Sequence, residues 1–127
     1  MGRGQPLAAA WARLATAAAV TAAAAYGILQ VVDGVALKRA VDAWVAAPAD
    51  DKAATFAAAQ AVRWTEYGLN SLTYSLVGLT LVLLGVALLG GDRSPRWLGA
   101  WAIVAGVAYA VKGSWWPTAG SRRTRRA

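Results

Sequence analysis

From Leu72 to Leu89 the chain runs eighteen residues without a charge, and its polar groups there are Thr73, Ser75, Thr80 and the phenol of Tyr74. A helix rises about 1.5 Å per residue, so this run covers roughly 27 Å, close to the hydrocarbon thickness of a bilayer. Backbone N–H and C=O groups inside lipid must pair within their own segment, and the pattern therefore predicts a membrane-spanning helix over 69–90. A second apolar run, Trp97 to Gly113, meets no charge until Lys112, whose aliphatic stem can carry its ammonium to the interface. Ser94 suits an N-cap and Pro95 a first helical position, which predicts a span over 96–114. Gly90 and Gly91 suit the end of the preceding helix. With Gly91 to Ser94 as a short turn, the two spans are expected to form an antiparallel helical hairpin.

Upstream the pattern is weaker. Leu14 to Val32 is mostly alanine, interrupted by Thr16, Thr21 and Gln30. Alanine is near neutral in transfer to lipid, so this stretch inserts marginally by itself. A signal peptide is one reading, with Arg3 and Arg13 ahead of the apolar stretch and Ala22-Ala23-Ala24 as a small-residue cleavage site. A retained span over 14–32 is the other, and the expectation here, because apolar character continues through Tyr26, Ile28, Leu29, Val31 and Val32. Between this span and the next lies a segment, 35–66, with amphipathic spacing. Leu37, Val41, Trp44 and Val45 recur at helical intervals while Lys38, Arg39 and Asp42 take the opposite side. Pro48 ends that helix, and Asp50 or Asp51 is placed to cap the next, roughly Lys52 to Gly68. The pair lies either on the membrane surface over a site or in water as a connector with one apolar face. Trp11, Trp64, Trp97, Trp115 and Trp116 fall near the proposed span ends, where amphipathic rings prefer to sit.

The expected fold is thus all-α, one membrane domain of three transmembrane helices with an amphipathic segment after the first and a basic tail over 117–127. Composition narrows the chemistry. Of the 127 residues, 58% are hydrophobic, and there is no Cys and no His. That removes thiol and imidazole catalysis and most zinc, haem and iron–sulfur ligation, so neither an enzyme nor a cofactor or metal site is expected. Net charge is +7, but Arg122, Arg123, Arg125 and Arg126 supply four of those charges. Such a tail suits anionic lipid headgroups, at roughly 1 kcal/mol per basic residue near the surface, and gives no support to nucleic-acid binding. Ten Arg against three Lys, with alanine at about a quarter of the chain, suggest a GC-rich bacterial genome and hence a plasma-membrane address.

Two sets of residues are candidates for function. Gly78 and Gly85 are seven apart, as are Gly99, Gly106 and Gly113, which keeps small residues on one face of each helix. With Ser71, Ser75, Ala102 and Ala110 they form seams on which backbones can approach, either between the last two spans or between copies in a homo-oligomer. The second set is polar. Arg63, Glu66, Tyr67, Asn70, Thr73 and Tyr74 lie three and four apart and make a stripe down a helix entering the membrane. Ionisable groups at membrane depth are costly and often functional. The stripe reads either as a small transporter or sensor site, with Glu66 holding a proton or cation beside Asn70 and Tyr74, or as an interfacial Arg63–Glu66 ion pair with Asn70 joining helices. The expected function is correspondingly structural or interaction-type, with the bilayer, a second copy or a partner subunit as partners; a transporter or sensor built on the stripe is the alternative.

Ser94-Pro95-Arg96-Trp97-Leu98-Gly99-Ala100-Trp101, followed by an apolar Gly-rich helix, resembles the domain-of-unknown-function family four-three-eight-six of bacterial multi-pass membrane proteins. The likeness is most specific over Ser94 to Lys112 and extends back to about Arg63. It implies a fold type and a membrane address, with no catalytic residues to carry over. The chain has fewer spans than that family. Its last residues, Pro117 onward, read either as out-of-frame GC-rich coding in a truncated relative or as a genuine basic tail.

Orientation is pulled two ways. Arg3, Arg13, Arg93 and Arg96 share one side; Lys38, Arg39, Lys52, Arg63 and the tail share the other. Counting all of them favours an outside N-terminus. Without the tail the counts tie, and the tight turn holding Arg93 and Arg96 favours an inside one.

Overall fold

The computed structural model describes residues 4–91 and 95–121, with side chains from 6 to 91 and from 95 to 114. The expected Ser94 cap, Arg3, Arg93 and the tail arginines Arg122, Arg123, Arg125 and Arg126 lie outside the described residues, as do the side chains of Trp115 and Trp116. Among the described residues there are helices and short joints, and no strand.

Helix α1, Gly4–Val31, continues without a break into a π-helical segment, Val32–Leu37, and then into α2, Lys38–Ala46. The expected separation between a span ending at 32 and a segment beginning at 35 is therefore absent. No proline stands between Pro6 and Pro48, so nothing forces the hydrogen-bond ladder to stop. The break comes at Ala47, extended at φ −66°, ψ 141°, as the residue before Pro48 must be. A single 3-10 turn, Ala49–Asp51, reverses the chain into α3, Lys52–Gly90, one helix of 39 residues. The part expected as Lys52 to Gly68 and the span beyond it are thus continuous.

Asp51 occupies the N-cap of α3 but makes no side-chain cap, because its backbone is already helical at φ −98°, ψ −6°. A capping carboxylate needs extended backbone to reach the free N–H groups. Lys52 holds the reversal instead. Its Nζ donates to the carbonyls of Trp44 and Val45 at 2.8 Å each, occupying the open C-terminal end of α2. The Trp44 and Phe56 rings close the elbow with centroids 5.5 Å apart.

Helix α4, Arg96–Ser121, packs along α3. So do α1 and α2, and among the described residues α1 and α4 make no contact with each other. The molecule is therefore one layer of helices with α3 in the middle. A methyl group built on Gly90 lies 3.6 Å from Ala8 Cβ, while Asp33 reaches Arg63 and Trp44 meets Phe56, so α1–α2 runs antiparallel to α3. Gly85 faces Gly99, Gly78 faces Gly106, and Ser71 faces Gly113, so α4 is antiparallel to α3 as well.

Seven-residue spacing governs both interfaces. Ala15, Ala22 and Leu29 of α1 are buried, and α3 turns Ala59, Glu66, Thr73 and Ala87 the same way. On the other side of α3, a Cβ at Gly78 would stand 2.6 Å from the Gly106 carbonyl oxygen, and one at Gly85 2.7 Å from that of Gly99. The backbones touch, an arrangement stabilised by dispersion and weak Cα–H···O contacts that any side chain would prevent. Ser71 Oγ adds a hydrogen bond across the seam to the Gly113 carbonyl.

Two helices are long and apolar enough to cross a membrane: Pro6–Ala46, 41 residues, and Ala49–Gly90, 42 residues. Three spans are expected from the sequence. Among the described residues, helix α4 is not one of these two.

Candidate functional site

The polar stripe of α3 does not stay on one face. Seven residues make two turns within about 20°, so Glu66 and Thr73 share the direction of α1. Eight residues advance the direction by about 80°, which turns Tyr74 toward α4. There its ring lies 5.9 Å from Tyr109, with Lys112 Nζ 4.6 Å from its centroid. Glu66 and Tyr74 are separated by about 12 Å of helix rise, and the structure does not bring them into one pocket. Asn70 stands between them, half-buried, and its amide has no hydrogen bond among the described residues.

Glu66 is the unusual member. Its side chain is 10% exposed, and its neighbours along the same seam are Ala59, Thr73 and Ala87. Oε2 is buried and accepts no hydrogen bond. Arg63 Nη1 stands 3.1 Å away, within ion-pair range but outside hydrogen-bonding geometry. The same Nη1 is 3.9 Å from Asp33 Oδ1 in the π segment across the interface. Leaving a charged oxygen buried without a donor costs on the order of several kcal/mol unless a counter-charge offsets it, and half-exposed Arg63 is the one within reach.

Arg63 is itself held in place. Its guanidinium carbon lies 5.0 Å from the Tyr67 ring centroid, and Trp64 packs edge-on against that ring at 5.9 Å. A hydrogen bond with Tyr67 pushes the guanidinium further up from its ordinary value; burial opposes it, and the charges of Glu66, Tyr67 and Asp33 add lesser effects in the upward direction. Arg63 is cationic at every accessible pH.

Asp33 is the residue that the stripe pattern missed, because it lies on another helix. A signal was present: it is the first acid in the chain and sits where the apolar run of α1 ends. Lys112 was legible as an interfacial lysine. Its place over Tyr74 follows from the glycine register, which sets 112 beside 72 once Gly106 faces Gly78.

Beside this cluster the α1–α3 interface opens into a groove of about 330 Å³, walled by Ala19, Ala22, Tyr26, Thr73, Val77 and Leu81 among others. The Thr73 hydroxyl donates to the Leu69 carbonyl and Thr80 to that of Leu76, so these polar groups are spent on their own helix. Among the described residues no three acidic side chains gather as a metal site.

Residues 2–115 match the family described as Domain of unknown function (DUF4386). No curated protein and no solved structure matches the chain.

Proposed function

The chain belongs to the DUF4386 family, and from that premise we propose that it is a non-enzymatic, multi-pass protein of a bacterial plasma membrane with a structural or interaction role. The observation that carries this reading is the distribution of size across the helices. Small residues fill the interfaces, and no large side chain is fully buried among the described residues. Leu14, Val20, Ile28, Leu72, Leu79, Trp97, Val104 and Val107 point outward, each at least 48% exposed. In water these side chains would stand exposed on a surface where a soluble monomer keeps its contiguous apolar patches small. In lipid it is solvated, and association then rests on close backbone packing of the kind found on both sides of α3.

On this reading α4 spans with α1 and α3, its Trp97 near one interface and Lys112 near the other. The α3–α4 pair is an antiparallel hairpin. Lipid covers the outward faces of α1 and α4, and these are also the faces a second copy or a partner subunit would use. Without His and Cys the chain has neither an imidazole base nor a thiol nucleophile. Extraction of membranes with alkaline carbonate is the direct test. The chain should stay in the pellet and leave it only with detergent; release by carbonate alone would overturn the proposal.

A further inference from the structure

Position 66 departs from the rule that shapes the rest of its seam. The α1-facing positions of α3 at seven-residue spacing are Ala59, Glu66, Thr73, Thr80 and Ala87, four small residues and one carboxylate. About one turn of α3 before that carboxylate, the facing helix changes form: the Asp33–Arg63 contact puts the π segment Val32–Leu37 level with Arg63 and the residues that precede it. A π turn carries an extra residue and widens the helix, and such turns recur at functional sites. The cluster holds two carboxylates, Asp33 and Glu66, and one guanidinium, so it is one positive charge short. The buried Oε2 of Glu66 accepts no hydrogen bond.

We propose that Glu66 is a proton-binding site, and that its proton moves Arg63 from Glu66 to Asp33, clasping the π segment of the first helix to α3. This goes beyond a structural role, since it gives the α1–α3 interface a ligand. A proton fits where a metal ion does not. A metal needs several oxygens around it, and no group of three or more acidic side chains gathers there among the described residues. The surrounding charges are few. From the first helix Asp33 alone faces the site, because Tyr26 is exposed two turns away and Lys38 is paired with Asp42 at 2.5 Å. From α3 there are Arg63 and Tyr67, which is engaged with Arg63. On α4, Lys112 and Tyr109 sit on Tyr74, about 12 Å of helix rise from Glu66.

The step is a simple addition. A proton from water adds to Glu66 Oε2 and gives a neutral carboxyl group. The cluster then holds one anion and one cation, and Arg63 has a single charged partner, Asp33. At present that pair is loose at 3.9 Å. Protonation therefore draws together two helices, not two groups on one helix.

The chain has no cysteine, so a pair of spin labels can be placed without background. Val35→Cys and Gln60→Cys put one label on the π segment and one on α3, both at exposed positions. The full chain in lipid vesicles is followed from about pH 8 to about pH 4, which brackets carboxylate titration. The label distance and the infrared carbonyl band of protonated carboxyl groups are both recorded. The expected result is a shorter distance on acidification, tracking the growth of one carboxyl band. Glu66→Gln should stay at the acid distance throughout and lose that band. Asp33→Asn should keep the band and lose the movement, which preserves the test if Glu66→Gln does not fold. A distance change that persists in Glu66→Gln would overturn the proposal, as would a wild-type protein with no Glu66 band, or with a band and no movement.

Discussion

At the scale of single residues, the glycines of this chain divide by what surrounds them. A Cβ at Gly106 would meet the Gly78 carbonyl oxygen at 2.6 Å and Val82 Cγ2 at 2.8 Å, whereas one at Gly68 meets nothing within 4 Å. Gly106→Leu should therefore force α3 and α4 apart at a cost on the order of 2 kcal/mol or more. Val107→Leu, on an outward position 51% exposed, should change stability by no more than about 0.5 kcal/mol. Gly68→Ala should raise stability by about 0.5–1 kcal/mol, since the native backbone there is ordinary helix and only unfolded-state freedom is lost. Unfolding in detergent micelles, followed by helical circular dichroism, checks all three; equal effects of Gly106→Leu and Val107→Leu would remove the seam from the argument. The seven-residue glycine spacing was legible in the sequence because every member has the same physical reason to be small. Glu66 was legible only in part. Its chain neighbours Arg63 and Tyr67 lie on the same helix and show in a one-dimensional pattern, but Asp33 shares the site only through the antiparallel register of two helices.

At the scale of elements, the elbow between α2 and α3 shows what local sequence rules can and cannot reach. Pro48 marks the break, and the backbone before it is extended for the reason that any residue before proline is. The cap was harder to read. Asp50 and Asp51 have the right chemistry, yet the 3-10 turn holds Asp51 in helical backbone, and the stabilising contact comes from Lys52 reaching backward to Trp44 and Val45. A lysine in the first turn of a helix is unfavourable to that helix's dipole but favourable to the C-terminal end of the helix before it. Lys52→Met keeps the aliphatic stem and removes the donor, so it should cost about 1 kcal/mol. Amide hydrogen exchange should rise between Trp44 and Phe56 and stay unchanged in Leu72 to Leu89. Unchanged exchange at the elbow would mean that Trp44–Phe56 packing alone holds it. The same antiparallel return explains why the expected boundary after residue 32 is missing: α1, the π segment and α2 together match the length of α3 they pack against, and a break would leave that partner uncovered.

At the scale of the whole molecule, the arrangement of charge along the layer sets its orientation in the membrane reading proposed above. Trp11 and Arg13 of α1, the end of α3 at Gly90, and Arg96 and Trp97 of α4 are level with one another, because Ala8 meets Gly90 and Gly85 faces Gly99. At the opposite end of the apolar run lie Asp33, Arg63, Glu66 and Lys112, and beyond them α2 and the first turns of α3 project with Lys38, Arg39 and Lys52. Positive charge is not equally free at the two ends. Lys38 is paired with Asp42, Lys52 is bound to carbonyls, and Arg63 is held by two carboxylates, which leaves Arg39 as the cation of the elbow without an acid in ion-pair contact among the described residues. Arg13 and Arg96 have no acid in ion-pair contact among the described residues, and each sits within a few residues of the apolar boundary, where basic residues govern insertion most strongly. The end carrying Arg13 and Arg96 is therefore expected to face the cytoplasm, with the α2–α3 elbow outside. Paired reporter fusions, one active only in the cytoplasm and one only outside, read this directly. A fusion after Gly91 should report cytoplasm and a fusion after Ala47 the exterior. The two positions in one compartment would mean that α3 does not span, and a reversed pair would place the Glu66 site and its proton source on the cytoplasmic side.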